Sequence, residues 1–381
     1  MTHLCVKFGC RKKMYLIFLA GILFLLSACG AGQSFQSTKP IRASEPRKGE
    51  ITIQVPTLSE TISPSETLSP TISWTPTWIA TPTLISTTTP TPDPNALLTI
   101  DGLTARTYGS SELVIIETLA ENSYFTRYLI SYPSDSLTIY GFMNIPQGEG
   151  PFPVVIAVHG YIDPLVYRTL DYTTGYADAM ARAGYLVIHP NLRNYPPSDN
   201  GSDLFRVGMA VDVLNLIAIV QSYGSTDSAL KAADPQRIGL WGHSMGGGVS
   251  TRVITINPDV RAVVLYGAMS GDERKNYEAI FRWSQGERGS DELSFSEDEM
   301  QRISPISYLD RIQSAVSIHH GRSDDLVPLT WSNDLCEQLR NLDKQVECYI
   351  YDGQPHTFVG EGNDRFIQRT LEFYDRFLRG P

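Results

Sequence analysis

Arg237-Ile-Gly-Leu-Trp-Gly-His-Ser-Met-Gly-Gly-Gly-Val249 is the stretch that decides the fold. Its apolar start reads as a buried strand, Gly242 breaks it, and Val249, Ser250 and Val253 continue at helical spacing. Gly242-His243-Ser244-Met245-Gly246 sits on the break. Glycines flank the serine because side chains there would strike the neighbouring strand and helix. Such a turn lifts the Ser244 hydroxyl to the edge of a sheet and aims the free amides of a helix N-terminus at the same spot. The bare pentapeptide is a weak signal; the strand before it and the helix after it give it weight. The competing reading is that the glycines only close a helix–strand contact.

The 381 residues allow one large domain or two smaller ones, and 42% apolar residues are ample for a core. The formal charge is −10. Such an acidic chain is repelled by phosphates it has no basic patch to neutralise, so nucleic acid is excluded as a partner.

Residues 1–28 read as an export signal: basic residues up to Lys13, an apolar run from Met14 to Leu26, then Ser27-Ala28 before Cys29. The run is short for a permanent membrane anchor. Leu26-Ser27-Ala28-Cys29 resembles the lipobox of bacterial lipoproteins, which implies an acylated Cys29 as the mature N-terminus and a lipid tether to a membrane. The alternative is an ordinary cleaved signal with Cys29 incidental.

Residues 29–97 are rich in Ser, Thr and Pro, with Pro64, Pro70, Pro76 and Pro82 recurring every six residues. Proline denies a sheet its donors and favours extended, solvated chain, so the segment is expected to be a disordered stalk. Extended at about 3 Å per residue, it reaches up to roughly 200 Å. A hexapeptide β-helix is disfavoured because the repeats carry too few apolar residues. Cys336 and Cys348 could pair in an oxidising compartment, but the sequence leaves open whether a helix and the following strand bring them within reach. No histidine stands near them at zinc-ligand spacing, and neither metal nor cofactor is expected.

From Leu98 to Pro381 strand and helix patterns alternate, which implies an α/β domain with a mainly parallel sheet and helices on both faces. Val114–Leu119, Tyr124–Ser131 and Leu137–Ile145 alternate apolar and polar residues, as an antiparallel start with one wet face should. Pro153–His159, Gly184–His189, Arg261–Tyr266 and Ala315–His320 are apolar runs, expected of strands covered on both faces. Residues 271–303 are polar, acidic and helix-prone, and are expected either to form a small lid over the serine or to decorate the surface.

A serine hydroxyl needs a base to take its proton and an acid to orient that base, and on such a sheet they follow in the order Ser, Asp or Glu, His. Asp324 and Asp325 lie in the loop after the strand ending at His320; Asp324 is the candidate acid and Asp325 the fallback. His356, between the last strand and the last helix, is the candidate base. His189, His243, His319 and His320 read as packing or hydrogen-bonded strand-end residues. Charge developing on a carbonyl oxygen needs preset donors. Met245 can supply its amide, and Tyr161, in His159-Gly160-Tyr161, its amide or phenol; Tyr161 could instead be a wall of the acyl pocket.

Val158-His-Gly-Tyr161, Gly242-His-Ser-Met-Gly246, Ser304-Pro-Ile-Ser-Tyr-Leu309, His320-Gly-x-x-Asp-Asp-x-Val-Pro328 and Pro355-His-Thr-Phe358 together resemble the α/β-hydrolase superfamily, and specifically the catalytic domain of the prolyl oligopeptidase family, over Tyr124 to Leu378. The resemblance implies an α/β-hydrolase fold and a serine peptidase or carboxylesterase that works through an acyl-enzyme on small peptides or esters. It assigns Asp324, three residues after the His-Gly glycine, as the acid, and the Tyr161 hydroxyl as an oxyanion donor. Two features depart from the family. The export signal and stalk leave no room for the β-propeller of full-length oligopeptidases, and Asn194 replaces a glycine usual after the arginine. Without a propeller the chain also resembles bacterial carboxylesterases and dienelactone hydrolases. The rival readings are a non-catalytic substrate-binding lipoprotein on a hydrolase scaffold and a structural cell-surface stalk protein, the latter hard to square with a complete Ser, Asp and His order.

Overall fold

The computed structural model describes residues 93–380. The expected export segment 1–28, Cys29 and the stalk as far as residue 92 lie outside the described residues. Residues 93–97, expected to end the stalk, instead make side-chain bonds to the folded domain. Asp93 accepts from Arg302 at 2.7 Å and Asn95 donates to Glu299 at 2.9 Å. Polar tethers of this kind leave no apolar pattern in the sequence, where the first core residues stand at Leu98 and Ile100.

Among the described residues nine strands form one sheet, in the order β1-β2-β3-β5-β4-β6-β7-β8-β9. A short helix α1 (Ile100–Thr104) precedes the antiparallel meander β1 (Val114–Glu121), β2 (Phe125–Ser134) and β3 (Leu137–Pro146). The sheet continues through β4 (Phe152–Val158), β5 (Leu186–Pro190), β6 (Ala233–His243), β7 (Val260–Tyr266), β8 (Ala315–Gly321) and β9 (Val346–Tyr351). β3 meets β5 antiparallel, and every pairing from β5 to β9 is parallel. Parallel neighbours need crossovers. They are supplied by α2 (Thr174–Arg182), α3 (Val207–Tyr223), α4 (Met245–Ile256) and, between β8 and β9, α8 (Leu329–Asn341); α9 (Gly360–Tyr374) closes the domain.

The apolar runs are explained by burial on both faces. In β4, Val154, Ile156 and Val158 join the core that contains α3 and α4, while Val155 and Ala157 join the core under α2 and α9. A strand with two covered faces cannot alternate apolar with polar residues. Leu204–Tyr223, which includes α3, is long and apolar enough to cross a membrane but is mostly buried in the fold, as a helix apolar all round must be. Cys336 on α8 and Cys348 on β9 form a disulfide, their Cα atoms 6.4 Å apart, which answers the question the sequence left open.

Residues 271–303 form an excursion between β7 and β8 built from α5 (Glu273–Trp283), α6 (Ser290–Leu293) and α7 (Glu297–Ile303). The last starts with a capping box between Ser296 and Glu299. Its root is ionic. Glu273, in the first turn of α5, pairs with Arg206 ahead of α3 and, at 2.6 Å, with Arg252 on α4. Arg252 is 1% exposed and also donates to the carbonyls of Ile303 and Phe205. One carboxylate therefore compensates two buried guanidinium groups at the junction of three helices.

Removing that carboxylate leaves two buried cations unpaired, so Glu273→Ala should cost about 3–5 kcal/mol, measured by urea unfolding. A loss below about 1 kcal/mol would mean that the cluster does not hold the excursion down.

Candidate active site

Ser244 follows β6 directly and precedes α4, with φ 56° and ψ −118°. A non-glycine residue reaches this conformation only when its surroundings force it, at a cost of about 1–3 kcal/mol. Here the Ser244 amide donates to the Tyr266 carbonyl at the end of β7 (2.9 Å), and the Ser244 carbonyl accepts from the amides of Gly247 and Met269. The flanking glycines are required by close approach. A Cβ on Gly242 would lie 2.4 Å from the Gly246 carbonyl oxygen, and one on Gly246 would lie 2.2 Å from that of Val158. The turn expected from the pentapeptide is therefore in place, with Ser244 partly exposed at the C-terminal edge of the sheet.

The edge gathers the other expected groups. Asp324 follows β8, His356 follows β9, and His356 Nδ1 lies 2.7 Å from Asp324 Oδ2. Asp325, the fallback acid, is exposed. Asp324 is 1% exposed at its side chain. Its Oδ1 accepts from the amides of Leu326 and Val327, both at 2.9 Å, and His320 Nε2 lies 3.1 Å from Oδ2. Burial would raise its pKa, but hydrogen bonds from His320, His356 and the Val327 amide outweigh it and hold the carboxyl well below the usual aspartate range.

His243 links this pair to the elbow. Its Nε2 donates to the His356 carbonyl at 3.1 Å, so its Nδ1 accepts, and it does so from the Tyr172 hydroxyl at 2.7 Å. Burial, reinforced by the neighbouring His356, pushes the His243 pKa down to about 3, so the ring is neutral. It stacks on Tyr266 with centroids 4.1 Å apart and lies 4.7 Å from the His356 ring. Among the described residues Ser244 Oγ makes no hydrogen bond. Contacts of this kind commonly close only with substrate in place.

Across the cleft the loop after β4 presses on the serine. A Cβ at Gly160 would stand 3.0 Å from Ser244 Cβ and 2.0 Å from the Tyr172 hydroxyl. Met245, the first residue of α4, is buried. The Tyr161 phenol accepts a hydrogen bond from Arg288 of the excursion at 2.6 Å, and Trp283 packs edge-on against its ring. The phenol is therefore engaged by the excursion. Spacing gave no signal for Tyr172, for His320 as a partner of Asp324, or for the link from His243 to the backbone of His356. Only the position of His243 beside the serine hinted at the last.

Gly160 and Gly267 set the space left around Ser244 and His356. Gly267 follows β7 at φ +50°, and a Cβ there would lie 3.2 Å from His356 Cε1 and Nδ1.

Residues 202–380 match the prolyl oligopeptidase family. With the elbow, the parallel sheet and the Asp324–His356 pair in place, the assignment follows. The chain has the α/β-hydrolase fold. It resembles the catalytic domain of the prolyl oligopeptidase family. The chain is 24% identical over 254 residues to the uncharacterized peptidase YtmA of Bacillus subtilis, covering 65% of this chain and 92% of the relative. Its fold is similar to that of an acylaminoacyl peptidase from Pyrococcus horikoshii (TM-score 0.55, 22% identity, 68% of this chain and 43% of that one). It is also similar to that of acetyl xylan esterase 1 from a Thermoanaerobacterium species (TM-score 0.51, 17% identity, 70% of this chain and 89% of that one). The chain spans less than half of the Pyrococcus peptidase.

Gly267→Ala places a methyl group against the imidazole and leaves a non-glycine residue at positive φ. It should lower hydrolytic turnover about 10- to 100-fold through misplacement of His356, with a stability loss of about 1–3 kcal/mol. Turnover equal to wild type in a folded variant would show that the imidazole does not depend on this gap.

Proposed function

We propose that this hydrolase cleaves small peptides or esters through a serine acyl-enzyme. Ser244 attacks the carbonyl carbon, His356 Nε2 takes the hydroxyl proton and returns it to the leaving group, and Asp324 fixes the imidazole tautomer through Nδ1. A water activated by the same histidine then releases the acyl group. The observation that carries this reading is the Asp324–His356 pair, 2.7 Å long, joined through His243 to the elbow that bears Ser244. Asp324 stays ionised and can stabilise the imidazolium as it forms.

The amide of Met245, at the free N-terminus of α4, and the amide of Tyr161, next to Gly160, are the proposed oxyanion donors. The Tyr161 phenol already accepts from Arg288. The excursion 271–303 acts as a lid on the Tyr161 side, its apex reaching the cleft through Trp283 and Arg288. The proposed setting is an exported protein tethered by lipid at Cys29, on the strength of Leu26-Ser27-Ala28-Cys29. The Cys336–Cys348 disulfide supports an oxidising compartment.

Ser244→Ala should lower turnover of a p-nitrophenyl ester or an aminoacyl anilide by about three orders of magnitude or more while far-UV circular dichroism stays unchanged. A fluorophosphonate should label the wild-type chain at Ser244. Unchanged turnover in the alanine variant, or folded wild-type protein that the probe leaves unlabelled, would favour a binding lipoprotein on a hydrolase scaffold.

A further inference from the structure

Asp324 is gripped from two sides. Opposite His356 stands His320, 1% exposed, whose Nδ1 accepts from the Ser332 hydroxyl at 2.7 Å. Its Nε2 faces both Asp324 Oδ2 at 3.1 Å and the Val327 carbonyl at 3.0 Å. Ser332 and Cys336 are four residues apart on α8 and so share a face. That face is covalently tied to β9 through Cys348. A continuous path thus runs from the disulfide along one helical turn to Ser332, His320, Asp324 and His356.

The disulfide is within reach of solvent. Cys336, Cys348, Ser332, His320 and Arg340 line a cleft of about 430 Å³ between α8 and β9. Cys336 is 5% exposed, whereas Cys348 is partly exposed. The bond spans a sequence separation of only 12, closing a segment that runs from the second half of α8 into the start of β9.

Building on the serine-hydrolase reading, we propose that the Cys336–Cys348 disulfide is a thiol-sensitive lock on Asp324. When the bond is intact, Ser332 stays on His320 and His320 holds the carboxylate in line with His356. A small dithiol entering the cleft opens the lock. One thiolate attacks Cys348 Sγ, the S–S bond breaks, and Cys336 leaves as a thiolate that takes up a proton. The second thiol of the reagent then attacks the mixed disulfide and frees Cys348, so two electrons pass from the dithiol, which leaves as its own disulfide. Arg340, four residues after Cys336 and lining the same cleft, offers a cation to the departing thiolate. His320 and Ser332 are positioning residues, acting on the substrate only through Asp324.

The test compares ester turnover by the full chain as oxidised wild type, wild type reduced with dithiothreitol, and Cys336→Ser/Cys348→Ser, with free thiols counted and circular dichroism recorded. Reduction and the double substitution should each lower kcat about 10-fold while KM changes less than about twofold. Oxidised Ser332→Ala should show a similar loss, and reducing it should add nothing, because both changes cut one path. His320→Asn replaces Ser332→Ala if the latter does not fold. The lock is refuted if fully reduced, folded wild type keeps its kcat. It is equally refuted if reduction costs Ser332→Ala as much as it costs wild type. The Ser244→Ala and fluorophosphonate controls on oxidised protein separate this result from a failure of the hydrolase reading itself.

Discussion

The backbone of Ser244 is held at φ 56° and ψ −118° by hydrogen bonds to β7 and to the residues that follow β7, and the rest of the site is arranged around that one residue. The conformation is tolerable only where no side chain crowds the turn, which is why Gly242 and Gly246 carry none. It also needs β6 to be central. With β4 on one side and β7 on the other, both ends of the turn are pinned by parallel neighbours buried on two faces. The C-terminal ends of β4, β6, β7, β8 and β9 then lie along one edge, where loops from distant parts of the sequence can meet.

The loops meet through few charges. His243 is neutral, and the carboxylate in direct contact with His356 is surrounded by donors: two amides and two imidazoles. In a site of low polarity an ion so well satisfied keeps its charge and its direction. Tyr172 contributes in the same manner. Burial raises its pKa, so the phenol keeps its proton and donates it to His243.

Most of the sheet was legible because burial on both faces imprints on composition. The runs Pro153–His159 and Ala315–His320 overlie β4 and β8 within a residue at each end. The antiparallel start was legible from alternation, and the pairing of Asp324 with His356 follows from the order of the chain and the strand ends. Three-dimensional proximity was not legible. Whether Cys336 meets Cys348 depends on how α8 lies over β9, and a sequence carries no such angle. Nor could it reveal that Arg252, the one charged residue of α4, reaches Glu273, because a buried arginine looks like a surface one until its partner is known. The attachment of residues 93–97 to the domain is hidden for the same reason, since side-chain hydrogen bonds leave no periodicity.

The ionic root of the excursion divides residues 271–303 into two parts under different constraints. Arg206, Arg252 and Glu273 must change together or not at all, and they anchor the first turn of α5 to the helix that begins at the elbow. The apex, with exposed Phe281 and Trp283, bears no such burden. Evolution can therefore redraw the rim of the cleft, by substitution or insertion near the apex, without disturbing the turn that bears Ser244. An architecture so divided can diversify what it accepts while its chemistry stays fixed.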